Sequence, residues 1–418
     1  MSTAGTASIP RAGRRSAAPA GTLRIVVGLA GLALGGCQIN AVDLARTLRA
    51  RGHDVQVVAF RDDDVAVSVL PYARAHDVDV EVLEPGRGLR GDARALARAA
   101  ARHRADVVHV FAPWLGRVLA VSSVGWGARA GVETNWYMEN HFWGSPRVPL
   151  VVGTGEMRQE AARRLAAPVH LMEPPVDLDT DRPDPARGAA FRAEHGVTDD
   201  QTLVVMVTRL DQEMKAEGVR QAVAAVAALD DPGVRLVVVG DGDAYDDVAA
   251  EAARVDERLG RRAVTLPGAL VDPHPAYAAA DVVLGMGGSA IRALAHGTAL
   301  VVVGEQGYAR TYEPSSVAEF ERQGFYGTGG AADPVRALAA LVDELHRDPG
   351  RRAALGELGL RTARERYGLQ AAATTLEQVY REALATRPSG ALRLADAATV
   401  LGRAALGRAA RRWRGSGR

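Results

Sequence analysis

The sequence predicts an α/β protein of two Rossmann-like parallel-sheet domains facing a cleft, with a C-terminal helix crossing back and a basic C-terminal tail. Three observations predict it. Short apolar runs alternate with helical patterns along most of the 418 residues. A Pro/Asp-rich stretch over 173–188 breaks the alternation, which then resumes. The chain is also longer than one ordinary core supports.

In the first half, strands are expected at 23–30, 54–60, 78–83, 106–111 and 149–155. Helices are expected at 40–52 and 91–103 between them. The first carries Ala41, Leu44, Ala45 and Leu48 on one face, and Gly52 ends it. In the second half, strands are expected at 202–210, 234–242, 263–268, 281–287 and 299–305. Residues 368–385 read as a late helix that packs back onto the first domain. The expected units are a disordered basic tail over 1–21, domains over 22–180 and 190–366, a crossover helix over 367–386, and a basic amphipathic tail over 387–418.

A hydrophobic content of 47% with 24% charged residues describes a globular protein. The net charge of +1 gives no nucleic-acid signal. Cys37 is the only cysteine, so no internal disulfide forms and a cytoplasmic setting is expected. No apolar run reaches the length of a membrane span, about 18 residues. Residues 25–36 imitate a signal-peptide core, but their Gly-Gly leads into an amphipathic helix and a second strand. Residues 28–36 lack a dinucleotide fingerprint, no Walker loop occurs, and the histidines lack metal-ligand spacing. Asp62, Asp63 and Asp64 follow the second expected strand and read as a solvated turn.

Fifty of the 51 basic residues are arginine, and Lys215 is the one lysine. It lies six residues after Arg209, between the strand LVVMV and the helix AEGVRQAVAAVAAL. A strand-end Arg and a helix-start Lys face one crevice, where free N–H groups attract phosphate. Lysine is a compact point charge and arginine a rigid fork, so they are not interchangeable there.

These strings resemble a GT-B glycosyltransferase and, within that fold, glycosyltransferase family 4. The resemblance rests on Gly35-Gly36 before a helix ending RGHDV, DVVHV at 106–110, PPVD at 174–177 and RLDQEMKAEG at 209–218. It continues through RLVVVGDGD at 235–243, AYAAADVVLG at 276–285, ALAHGTALVVVG at 293–304 and YREALA at 380–385. It implies a glycosyltransferase that moves a sugar from a nucleotide diphosphate sugar to a hydroxyl acceptor, with retention, no metal and no cofactor beyond that co-substrate. Arg209 and Lys215 match the pair that holds the diphosphate and stabilises it as a leaving group. Gly35 and Gly36 match a loop where backbone approaches phosphate or acceptor, though a tight strand–helix turn explains them equally. Gly240 and Gly242 fall at a strand end beside the donor cleft. A nucleotide-sugar epimerase of the same fold, or an inactive binding protein, are the alternatives.

The chain departs from the family pattern at two glutamates that normally help hold the donor. Leu284 and Arg292 stand at those positions. The segment GMGGSA over 285–290 offers Gly287, Gly288 and Ser289 as a replacement cradle, and Glu305 as a hydroxyl contact. A second departure lies in VETNWYMENHFW over 132–143, where Asn135 or Trp136 stands at a family histidine position and His141 lies further on. Its aromatics suit either a sugar-stacking wall or a satellite core. Residues 389–418 carry seven arginines and one Asp, a local charge of +6. Leu394, Ala398, Leu401, Ala405 and Leu406 fall near one helical face, with Arg393, Arg403, Arg411 and Arg414 on the flanks and Trp413 among the last cations. The tail is either a peripheral contact with an anionic membrane, suited to a lipid-linked acceptor, or a frayed terminus.

Overall fold

A computed structural model describes residues 21–415 except 63, 64, 66, 138, 213 and 214, with side chains described up to residue 406. The expected tail, Gly21 apart, therefore lies outside the described residues, as do Asp63, Asp64 and the side chains of Arg411, Trp413 and Arg414.

The first sheet holds β1 (Arg24–Leu29), β2 (Asp54–Phe60), β3 (Val80–Leu83), β4 (Val107–Phe111), β5 (Ala130–Asn135), β6 (Leu150–Val152) and β7 (Val169–Leu171). Their order is β3-β2-β1-β4-β5-β6-β7, all parallel. Two of these strands were not expected. β5 carries Glu133, Thr134 and Asn135, all buried, so it lacks the apolar run that marks a buried strand. β7 is only three residues long.

The second sheet holds β8 (Thr202–Val207), β9 (Val234–Val239), β10 (Val264–Gly268), β11 (Val282–Gly285), β12 (Ala299–Val303) and β13 (Ala309–Thr311), in the order β10-β9-β8-β11-β12-β13. β13 runs antiparallel at the edge and was also not expected. The helix read as AEGVRQAVAAVAAL spans Ala216–Leu229. The one read over 40–52 begins earlier, at Gly36, and ends at Ala50, with Gly52 at φ +93° just beyond.

The two domains are joined twice. Val176 N–H donates to the Tyr367 carbonyl at 2.7 Å, and Leu369 N–H donates to the Val176 carbonyl at 3.1 Å. Chain leaving the first domain therefore lies beside chain returning to it. The return helix, Leu369–Ala385, is part of the first core: Leu376, Val379 and Tyr380 pack with Ile25, Val27 and Val132. Polar contacts fix its register. Arg51 Nε reaches Glu377 at 2.7 Å, and His53 Nε2 reaches the same carboxylate at 3.2 Å. His109, fully buried on β4, lies 2.8 Å from the Tyr380 hydroxyl and 2.7 Å from Thr134 Oγ1. Burial pushes its imidazole down to about 3, so it stays neutral.

The C-terminal segment forms a helix, Gly390–Gly415, docked against the helix Pro113–Ser122. This overturns the frayed reading for its described part. Arg393, expected on a flank of the amphipathic tail, is buried. Its guanidinium donates to the carbonyls of Ser123 and Arg129, because the helix meets the first domain where those carbonyls end a helix and a turn. No helix among the described residues is long and apolar enough to cross a membrane.

Candidate functional site

Charged loops follow the carboxyl ends of β8 and β9. Arg209 follows β8 and is 74% exposed, with Nη2 3.8 Å from Asp211 Oδ2. Lys215 caps the helix Ala216–Leu229, and its own N–H donates to the Asp211 carboxylate at 3.1 Å. Lys215 is half-buried. Burial pulls its titration down, the Arg209 charge adds to that, and Asp211 opposes both. The two cations therefore feel each other. An anion between them relieves that repulsion, and the positive end of the helix dipole favours it there.

Glycines set this loop pair. Leu210 N–H donates to the Asp241 carbonyl at 3.0 Å, and Ala244 N–H donates to the Leu210 carbonyl at 2.9 Å. A Cβ at Gly240, φ +156°, would fall 1.7 Å from the Thr208 carbonyl oxygen. One at Gly242 would fall 2.4 Å from the Leu210 carbonyl oxygen. Their task is to bring the loop after β9 against the backbone that presents Arg209.

The replacement cradle is shorter than expected. Gly285 still belongs to β11, and the helix Gly288–Ala295 starts three residues later. Gly287 has φ +54° and donates its N–H to the Phe325 carbonyl at 2.7 Å, so the turn itself requires glycine. Ser289 Oγ accepts from Met286 N–H at 3.1 Å and donates to the Met286 carbonyl at 2.9 Å, which ties its hydroxyl to the turn. Gly288 is the position open to an approaching group, with nothing within 4 Å of a Cβ there. The same holds across the cleft. Gly35 has φ −154°, which any residue adopts, and Gly36 has open space in front of it. The strand–helix turn there does not require the glycine pair.

Glu305 is not a bare surface carboxylate. The Tyr326 hydroxyl bonds to it, and that hydroxyl is pushed up to about 12 by burial, by Glu305 and by Glu139 of the first domain. Arg292, at a family glutamate position, has Nε 3.4 Å from Asp181 Oδ1 and feels Asp43 and Tyr72 of the first domain. Asp181 is 1% exposed and also faces His274 Nε2 at 3.4 Å. Arg292 thus belongs to an ion cluster at the interdomain linker. Sequence patterns gave no sign of it, because its members lie far apart along the chain.

Asn135 is 1% exposed. Its side chain binds the Glu139 carbonyl at 2.9 Å and the Tyr137 N–H at 3.0 Å, so it braces its own loop. His141 stacks on Trp143 at 4.6 Å, and Arg117 lies over the same ring at 4.8 Å. Trp136 donates to the Met172 carbonyl at 2.8 Å and packs into the first core, while Phe142 joins a small cluster with Leu150 and Met157. The aromatics divide between cores, and of the group Tyr137 is the most exposed. Among the described residues, no three His, Cys, Asp or Glu side chains converge as metal ligands.

Comparison with known proteins gives this geometry a family. The profile for Glycosyltransferase Family 4 matches residues 34–180, and that for Glycosyl transferases group 1 matches residues 201–348. The chain is a GT-B-fold glycosyltransferase homologue resembling family 4. A D-inositol 3-phosphate glycosyltransferase from Xylanimonas cellulosilytica is 31% identical over 256 residues, which cover 57% of this chain and 58% of that relative. Anabaena Alr3699/HepE in complex with UDP superposes with a TM-score of 0.65 at 17% identity, over 85% of this chain and 99% of that one. A glycosyltransferase from Rickettsia africae superposes at 0.67 and 14% identity, over 88% and 100%. At such identities the structures establish the fold, and within this GT-B frame Arg209 and Lys215 stand at the edge of the second domain.

Proposed function

We propose that the protein transfers a sugar from a nucleotide diphosphate sugar to a hydroxyl acceptor, with Arg209 and Lys215 holding the diphosphate. The observation that carries this is the placement of Arg209 after β8 and Lys215 at the N-cap of the next helix, both beside Asp211. Negative charge grows on the diphosphate as the glycosidic bond breaks. Two fixed cations placed there stabilise that charge without reorganising, which lowers the barrier. They also do the electrostatic work of a divalent ion, so the reaction needs none. The UDP in the HepE complex and the name of the inositol 3-phosphate relative support a nucleotide donor and a hydroxyl acceptor. Gly36 and Gly288 leave open backbone on both sides of the cleft for these substrates. Retention at the anomeric carbon follows the family resemblance.

The test is calorimetry with UDP, ADP and GDP on the full chain. One diphosphate should bind, and Lys215→Met should weaken it while leaving the parent nucleoside unaffected. Equal diphosphate affinity in the variant and the parent protein refutes the assignment. Turnover should also persist in EDTA, and loss restored by magnesium or manganese refutes metal independence.

A further inference from the structure

A pocket of about 410 Å³ opens in the first domain between the loop 141–150 and the C-terminal helix. No described residue of the second domain lines it. Its walls are part apolar, from Phe142, Leu150 and Val400, and part charged, from Glu133, Arg147, Arg164, Asp396 and Arg403.

Two of the cations are held in place before any ligand arrives. Arg147 pairs with Asp396, whose other oxygen accepts from Ser145 Oγ at 2.6 Å. The Arg164 guanidinium lies 4.9 Å from the centre of the Phe142 ring and pairs with Glu160 at 3.0 Å. Glu133 is 6% exposed, and the surrounding chain is shaped around its carboxyl. A Cβ at Gly116 would fall 2.1 Å from Glu133 Oε2, and one at Gly144 would fall 2.7 Å from it. Two glycines from separate segments therefore clear the space that this group fills. A buried carboxyl costs stability, and apolar side chains of similar volume would fill the space more cheaply.

We propose that this pocket is a second ligand site, for a small anionic saccharide such as a sugar phosphate or a uronate. Guanidinium forks match phosphate and carboxylate oxygens. The Glu133 carboxyl hydrogen-bonds a sugar oxygen, and the apolar wall takes the C–H face of the ring. The volume lies in the range of small-molecule sites, about 300–1,000 Å³. An acyl chain would leave Glu133 without a polar partner, and a bare phosphate would leave the apolar wall uncovered. Burial pushes the Glu133 carboxyl up to about 8, so near neutral pH it is protonated, donates a hydrogen bond and does not repel an anion. The charged and titratable groups around it are Arg117, His141, Arg147, Arg164, Asp396 and Arg403, with His109 on β4, Glu160 beside Arg164 and Arg393 earlier on the C-terminal helix.

This site is independent of the donor chemistry assigned to Lys215. Calorimetry on the full chain with glucose 6-phosphate, glucuronate, glucose and inorganic phosphate tests it. At least one of the two anionic sugars should bind at least about tenfold more tightly than glucose or phosphate alone. The double substitution Arg164→Gln/Arg403→Gln, both at exposed guanidiniums, should weaken that binding at least about tenfold. Lys215→Met should leave it unchanged. Binding should fall as pH rises through about 8, and Glu133→Gln should abolish that fall. The proposal is overturned if neither anionic sugar binds, or if the double variant binds like the parent. It is equally overturned if Lys215→Met abolishes binding, which places the sugar in the donor cleft, or if a folded Glu133→Gln protein keeps the same pH profile.

Discussion

At the edge of the second sheet, Arg209 is 74% exposed and Lys215 sits close enough to feel its charge. In the first domain the arginines that meet the C-terminal helices are already occupied. Arg51 pairs with Glu377, Arg147 with Asp396, and buried Arg393 with two carbonyls. The loop after β8 sets two cations beside each other, although the same domain pairs other arginines, such as Arg192 with Asp281 and Arg220 with Glu251. The first domain uses the arginines just named to fasten the two C-terminal helices. Charge content does not separate these roles, since both domains are arginine-rich. What separates them is whether a carboxylate or carbonyl stands within hydrogen-bonding reach.

The glycines give the largest expected contrast. Gly240→Ala drives a Cβ into the Thr208 carbonyl, so the loops must part. Strain plus overpacking should cost about 2–4 kcal/mol, with loss of diphosphate binding. Gly36→Ala meets open space at ordinary backbone angles and lies in a helix, so stability should be unchanged or rise by up to about 1 kcal/mol. Thermal unfolding of both variants is the measurement. A stable Gly240→Ala protein breaks the contrast. A Gly36→Ala protein that is stable but slow sharpens it, because the open space then belongs to a ligand.

The cations give the next largest effect. Lys215→Met and Arg209→Ala should each weaken diphosphate binding by about 1–3 kcal/mol, with little change in stability. Arg51→Ala should do the reverse, lowering stability and leaving affinity alone. Denaturant midpoints and calorimetry on the same three proteins distinguish the roles, and a loss of affinity in Arg51→Ala defeats the comparison.

Acid gives a smaller, graded effect confined to the first domain. Arg51, with His53, holds the Glu377 carboxyl down to about 2 in the folded state. Its folded value lies below its ordinary one, so its stabilisation is fully present above the ordinary range, near 4.5. It is lost as pH falls from there toward 2. Stability measured across that window should decline in the parent protein and decline less in Glu377→Gln. Parallel curves for the two proteins contradict the assignment.

Most of the fold was legible because parallel strands buried on both faces read as apolar runs. What escaped is short, as β7 and β13 are, or carries polar side chains for tertiary reasons, as β5 does. β5 holds Thr134 for His109 and Glu133 for a pocket, and neither partner is near in sequence. The sequence order of strand, loop and helix around Arg209 and Lys215 is the one the structure shows, with Arg209 after β8 and Lys215 at the N-cap of the next helix. Ser289, Asn135 and Gly287 have residue types that suggest contacts with ligands, yet the backbone uses them. The Arg292–Asp181 cluster depends on two segments meeting at the interdomain linker, which no local pattern reveals.

The C-terminal helix tests the comparison at its weakest point, because it combines fastening with an outward face. Arg393, Asp396, Ala397 and Val400 are buried, while Leu394 at 60% and Leu406 at 72% exposure face outward. Arg403 is exposed, and the sequence continues with Arg408, Arg411, Arg412 and Arg414. Since Arg393 is already committed to carbonyls, lipid attraction must come from Arg403 onward, at up to about 1 kcal/mol for each cation near an anionic surface. Full-length protein should therefore float with anionic vesicles and release as salt rises. Replacing Arg408, Arg411, Arg412 and Arg414 with Gln should abolish flotation without altering the unfolding temperature, because the docking contacts among the described residues lie earlier in the helix. Truncation after Pro388 should abolish flotation and also lower stability, since it uncovers the Ser123 and Arg129 carbonyls and removes the partner of Arg147. Flotation that survives the four substitutions assigns lipid binding elsewhere, and absence of flotation in the parent protein removes the membrane from the reading altogether.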